Sequence, residues 1–146
     1  PGNGALLISK GNVTVSNILA DHNDGDGLAI NADSSGNKIG ASDGTGSVTV
    51  TNATFNNNNL AGIRAYSNGN MVLSKVTSFG SYFGDGAHLT TNNKDISISN
   101  SSFLLNNQYG LWTDTGISNT LKLNKVNTVA NANGKNLYYT GKMTKL

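Results

Sequence analysis

V-T-V-T-N-A-T-F at residues 48–55, closed by A-G-I-R-A at residues 61–65, is one unit that the chain spells five times. Residues 13–20 read V-T-V-S-N-I-L-A and close with G-D-G-L-A-I at 25–30. Met71 opens M-V-L-S-K-V-T-S, which closes with G-D-G-A-H-L at 84–89. Ile96 opens I-S-I-S-N-S-S-F, which closes with Y-G-L-W-T at 109–113, and Leu121 opens L-K-L-N-K-V-N-T, which closes with N-L-Y-Y from Asn136. A half unit, G-A-L-L-I, precedes them from Gly4. The closing anchor recurs at Gly4, Gly27, Gly62, Gly86, Gly110 and Asn136, about two dozen residues apart except for one long interval that holds a Gly-, Ser- and Asp-rich insertion at residues 34–46.

That period is too short for a propeller blade and lacks the leucine pattern of a horseshoe repeat, but it suits one coil of a parallel β-helix. Side chains alternate along each strand, so Val13 and Val15, or Leu28 and Ile30, point inward while Thr14 and Ala29 point out. Matching strands of successive coils then stack about 4.8 Å apart, and the inward positions form apolar files along the axis. One such file contains Ile30, Ala65, Leu89 and Thr113. The expected fold is all-β, a parallel β-helix of about five coils with three short strands per coil.

Composition fits this reading. Apolar residues make up 36 % of the 146, and a coil needs few inward side chains because its turns stay solvated. Asn, Ser, Thr and Gly dominate the rest, a bias that without the phased V-x-V and G-h-x-h triplets would suggest disorder. Asn suits tight turns because it tolerates left-handed backbone angles and bonds free backbone groups. Asn17, Asn52 and Asn100 form one turn column, interrupted by Lys75 and Lys125, where either the turn differs or the lysine reaches outward. Asn23, Asn58, Asn106 and Asn131 form a second column, in which amides can bond one another up the axis.

Length allows one domain, residues 1–146, which reads as a segment of a longer solenoid. With ten basic and eight acidic residues the near-neutral balance argues against a nucleic-acid partner. No apolar run is long enough to cross a membrane, and the absence of cysteine leaves the redox compartment open. No cofactor is expected and no metal either. D-H-N-D-G-D-G at residues 21–27 places Gly25 where a calcium loop needs a ligand, and His22 and His88 lie two units apart with no cysteine to help. N-x-S/T sequons begin at Asn12, Asn52 and Asn100.

The outward side of the Gly-led strand carries the candidate site. Its file reads Leu6, Ala29, Arg64, His88, Trp112 and Tyr138, and the next outward position contributes Tyr66 and Asp114. Coil spacing lines Arg64, His88, Trp112 and Tyr138 along one face within about 15 Å. Aromatic faces beside planar hydrogen-bonding groups are the chemistry of sugar recognition. The competing account is structural, since aromatic residues on a strand surface stabilise a sheet by pairing along the ladder.

The V-T-V-T-N-A-T-F unit followed by a Gly-led strand resembles the right-handed parallel β-helix repeats of the pectin-lyase-like superfamily, over nearly the whole chain from Gly4 to about Tyr139. The resemblance implies a right-handed coil and a group that includes pectate lyases, polygalacturonases, epimerases, phage tailspikes and bacterial surface proteins. N-D-G-D-G at residues 23–27 and F-G-D-G at residues 83–86 are similar to the aspartate segments of polygalacturonase-like enzymes. By that likeness Asp26 and Asp85 would be acid and base, about 9.6 Å apart along the axis against the 6.5–9.5 Å or so of an inverting glycosidase. The chain departs from the pattern: it has no Asn-Thr-Asp triplet, no Asp-Asp pair and no Arg-Ile-Lys segment, and Ala61 stands in the intervening coil. Arg64, its single arginine, lacks the acid cluster of a lyase calcium site.

The expectation is therefore an extracellular or cell-surface solenoid module, structural or adhesive, that contacts polysaccharide along the Arg64 to Tyr138 strip. Stacking on Trp112, Tyr138 and Tyr66 and hydrogen bonds from Arg64, His88 and Asp114 would make that contact. The alternatives are a polysaccharide-degrading hydrolase or lyase using Asp26 and Asp85, and a filament-forming subunit. Further β-helix coils or identical subunits stacked end to end are the other expected partners, because the ends expose strand edges.

Overall fold

The computed structural model describes residues 2–32, 46–129, 131 and 135–146, and among these it has twelve strands and no helix. Six belong to one sheet: β1 (Ala5–Leu7), β3 (Leu28–Ile30), β5 (Ile63–Ser67), β7 (Ala87–Thr91), β9 (Leu111–Asp114) and β11 (Leu137–Thr140), stacked in that order. The other six form the second sheet: β2 (Val13–Asp21), β4 (Val48–Asn56), β6 (Met71–Phe79), β8 (Ile96–Leu104), β10 (Thr120–Asn127) and β12 (Lys142–Lys145). Every strand pairs in parallel with its equivalent in the next coil. The chain is thus a parallel β-solenoid of about five turns. Coils one to five are named here by their long strands, β2, β4, β6, β8 and β10. The insertion expected at residues 34–46 lies, apart from Gly46, outside the described residues.

The three straight segments expected per coil are present, but the first two are arms of one long strand. Each long strand bends at a single residue with left-handed backbone, at Asn17, Asn52, Lys75, Asn100 and Lys125, where φ lies at 57°, 50°, 56°, 49° and 53°. One residue of that kind turns the chain without interrupting the inter-coil ladder. The two lysine corners therefore have the same geometry as the asparagine corners, and both lysines are exposed. Asn52 Nδ2 donates to Asn17 Oδ1 at 2.6 Å, a link that Lys75 cannot continue.

Period-two alternation fills the interior. Val48, Val50, Met71, Leu73, Ile96, Ile98 and Leu121 point in along the first arms and are buried. Ile30, Ala65, Leu89 and Thr113 share one interior file of the short sheet, each fully buried. On the second arms one file runs Ala20, Phe55, Ser78, Phe103. Small residues alternate with phenylalanines there, and the spacing of two coils gives each ring room that four successive rings would not have.

The corner that leads into the short sheet is fixed by asparagine and glycine together. Asn58 is fully buried; its Oδ1 accepts the backbone N–H of Asn23 at 3.1 Å and the Asn23 amide at 2.8 Å, and its Nδ2 donates to the Ala20 carbonyl at 3.1 Å. Asn131 repeats the arrangement on Asn106. These amides lie against the glycine anchors. A Cβ at Gly27 would sit 2.7 Å from Asn58 Nδ2 and 2.6 Å from the Gly62 carbonyl, and Gly86 and Gly110 are crowded in the same way by Asn106 and Asn131. In coil three the file has Ser81 in place of asparagine, and its hydroxyl has no hydrogen-bond partner among the described residues.

Two consequences are measurable by urea unfolding. Asn58→Ala strips partners from buried backbone groups and should cost about 2–4 kcal/mol, since each orphaned group costs about 1–3, whereas Asn52→Ala at an exposed corner should cost about 1 or less. Lys75→Asn places a residue tolerant of left-handed angles in a corner that already has them, and should stabilise the protein by about 0.5–1 kcal/mol.

Candidate functional site

Register brings the expected strip together. Ala29 pairs with Arg64, Arg64 with His88, His88 with Trp112 and Trp112 with Tyr138, so these residues form one outward file of the short sheet. Ala29 faces away from the interior yet is fully buried. Arg64 and His88 are mostly covered, at 15 % and 19 % side-chain exposure, whereas Tyr138 is 39 % exposed.

The rings of the file pack on one another. His88 stacks on Trp112 with centroids 4.0 Å apart and planes 13° from parallel, and Trp112 stacks on Tyr138 at 5.3 Å and 12°. Tyr66 meets His88 at 6.3 Å in a tilted contact. Parallel strands hold equivalent side chains one strand spacing apart, close to the thickness of two aromatic rings in contact, so stacking follows from the ladder itself. Both faces of Trp112 are therefore occupied by protein, and what the strip presents outward is ring edges. The indole N–H, the imidazole and the phenol are polar groups on those edges.

Two buried carboxylates anchor the strip. Asp26 Oδ1 accepts the backbone N–H of Ala61 at 2.8 Å, and its Oδ2 accepts Arg64 Nε at 3.0 Å, with Arg64 Nη2 3.4 Å from Oδ1. Burial alone would lower the pKa of Arg64. The attraction of Asp26 and the hydrogen bond to it, with smaller contributions from Tyr66 and Asp85, outweigh that and hold the guanidinium above its ordinary value. Asp85 repeats the backbone tie two coils on, its Oδ1 accepting the backbone N–H of Tyr109 at 2.9 Å, but its side-chain partner belongs to its own coil: Oδ2 lies 2.9 Å from His88 Nδ1. With Nδ1–H donated to Asp85, a neutral His88 keeps Nε2 as an acceptor. Each aspartate thus ties the next coil's backbone to an outward side chain, and each has both oxygens engaged.

Asp114 accepts the hydroxyl of Thr140, its partner in the next coil, and, at 2.9 Å within its own corner, the backbone N–H of Gly116. Two residues extend the strip beyond the sequence-based expectation. Tyr109 tilts against Tyr138 at 5.7 Å, and Lys135 Nζ lies 5.7 Å over the Tyr109 ring. Both occupy the position before the closing anchor, Gly110 for Tyr109 and Asn136 for Lys135, which is the file of Asp26, Ala61 and Asp85, so their alignment with the strip was available from spacing alone. No group of three or more His, Asp or Glu side chains among the described residues is arranged to hold a metal ion.

No family model, no curated protein and no solved structure matches this chain.

If Asp26 is a coil-to-coil tie, Asp26→Ala should lower unfolding stability by about 3–5 kcal/mol, because it leaves Arg64 charged and buried without its partner. Asp26→Asn, which keeps an acceptor for the Ala61 N–H, should cost less. A wild-type urea midpoint for Asp26→Ala would contradict the assignment.

Proposed function

We propose that this chain is a rigid β-solenoid module of the pectin-lyase-like kind, working outside the cell or at its surface, and that it contacts polysaccharide along the file Arg64, His88, Trp112, Tyr138. The observation that carries this reading is the register: four hydrogen-bonding side chains, partly covered from Arg64 to Trp112 and exposed at Tyr138, repeat at the strand spacing along one straight face. A polymer of regularly spaced hydroxyls is the ligand chemistry that such a periodic row fits. The mutual stacking of the rings means that little rotamer freedom remains to be lost on binding, which favours affinity. Contact through ring edges and polar tips is the mode consistent with the occupied faces of Trp112, in place of the sugar-on-indole stacking that the sequence suggested.

A binding module is preferred to a hydrolase on the state of the carboxylates. A general acid or base must reach the scissile bond with a free oxygen, and Asp26 and Asp85 spend theirs on backbone amides, Arg64 and His88.

Affinity electrophoresis through gels containing plant, fungal or bacterial polysaccharides tests this reading. Retardation by at least one polymer is expected, and Trp112→Ala should weaken it about tenfold, the equivalent of about 1.4 kcal/mol, while the far-ultraviolet circular dichroism stays unchanged. Trp112 is the one tryptophan of the chain, so its emission should also shift on binding. A panel in which nothing is retarded, or retardation indifferent to Trp112→Ala, would remove the proposal.

A further inference from the structure

We infer that the coil-three corner carrying Tyr82 and Phe83 is a separate carbohydrate site, one that takes an uncharged sugar on open aromatic faces. This corner is one residue longer than those of coils one, two and four, and the surplus is absorbed as an outward bulge. Gln108 N donates to the Gly84 carbonyl and Asn107 N to the Ser81 carbonyl, so the backbone ladder of coil four passes over Tyr82 and Phe83. Their carbonyls are capped instead by side chains: Asn107 Nδ2 donates to Tyr82 O at 2.7 Å and Gln108 Nε2 to Phe83 O at 2.9 Å. Their N–H groups donate to the carbonyls of Asn58 and Asn59. All four backbone polar groups of the dipeptide are thereby satisfied, and a rigid backbone displays two rings that are 54 % and 64 % exposed. No aromatic ring among the described residues packs on either, in contrast to the stacked file.

The surroundings give the ligand class. Tyr82 borders a shallow depression of about 470 Å³ whose rim includes Asn57, Leu105 and Asn107, a volume suited to one or two sugar rings. No charged side chain lines it, and the charged group bonded to its rim is the carboxylate of Asp21, which Asn57 Nδ2 reaches at 3.4 Å. An acidic sugar would find no cation among the lining residues to pair with, and the Asp21 carboxylate already has His22 Nδ1 at 2.9 Å; a neutral sugar would meet amide donors and acceptors beside aromatic faces. Leu105 is the one apolar side chain with left-handed backbone among the described residues, φ 54°, and it is 53 % exposed. It occupies the left-handed corner position that His22, Asn57 and Gly80 hold in the preceding coils, and of these four it alone presents a large apolar side chain. Coil three breaks the asparagine ladder at Ser81, whose buried hydroxyl has no partner among the described residues. Exposed apolar side chains at this corner, Phe79, Tyr82, Phe83 and Leu105, are few beside the 20–30 residues or so that each side of a stable protein interface contributes, which argues for a small ligand over a second protein.

The site does not depend on the strip, and its test keeps the two apart. The ¹⁵N-labelled protein is titrated by nuclear magnetic resonance with cellohexaose, mannohexaose and maltohexaose, and with oligogalacturonate as the acidic probe. Saturable shifts at Tyr82, Phe83, Leu105 and Asn107 are expected with at least one neutral oligosaccharide and none with oligogalacturonate. Phe83→Ala and Tyr82→Ala should each weaken binding about tenfold, and Trp112→Ala should leave it unchanged. The proposal is overturned if no neutral oligosaccharide shifts these residues, if oligogalacturonate shifts them as well, or if Phe83→Ala and Tyr82→Ala leave the binding read at this corner like the wild type's. It is equally overturned if sedimentation shows wild-type dimers that Phe83→Ala abolishes.

Discussion

Asparagine amides wedged against glycine backbones are the constraint on which this solenoid rests. The amide of Asn58 satisfies backbone and side-chain groups in the corner of the coil before it, and it lies so close to Gly27 that no Cβ fits between them. Neither residue is sufficient alone. Without the amide, buried N–H and C=O groups lose partners; with a Cβ at Gly27, Gly86 or Gly110, amide and neighbouring carbonyl could not approach as closely as they do. The short strands inherit their alignment from this lock, since they begin immediately after each glycine.

Alignment then determines the chemistry of the outer face. In a parallel in-register sheet every side chain has its counterpart directly above, so an outward file of aromatics becomes a stack and not a row of platforms. The same geometry makes buried aspartates useful as ties, because a carboxylate one coil down can reach both an amide and an outward cation of the coil above. The aspartates of the two Gly-Asp-Gly segments accept backbone N–H groups of the coil above and contact Arg64 and His88. Open aromatic faces occur where the repeat is broken, at the bulge of coil three.

The fold was legible because each element of the unit carries one physical signal: V-x-V for an arm, Asn for a corner, Gly for the close approach. The strip Arg64 to Tyr138 was legible for the same reason, being a count of residues from the glycine. What the sequence hid depends on relations between coils. That one left-handed residue turns a strand without ending it could not be read from Lys75 or Lys125, neither a turn former. The Asp26–Arg64 pair joins residues 38 apart across an interval of irregular length, and the ring orientations follow from side-chain torsions that periodicity does not encode. The bulge at Tyr82 and Phe83 did leave a trace, one residue too many before Gly86, which passes unnoticed when the units are aligned by their glycines.

Coils of unequal length nevertheless keep a common register: coil two lies 35 positions after coil one, and coil four 25 after coil three. Four of the five long strands, β2, β4, β6 and β8, are nine residues each, and the variation falls between strands. An insertion within a strand would turn every later side chain of that strand inside out, while one in a corner is forgotten at the next glycine. The corners thus act as punctuation that restores the reading frame, and novelty in this lineage of coils can accumulate at those marks without rewriting the lines between them.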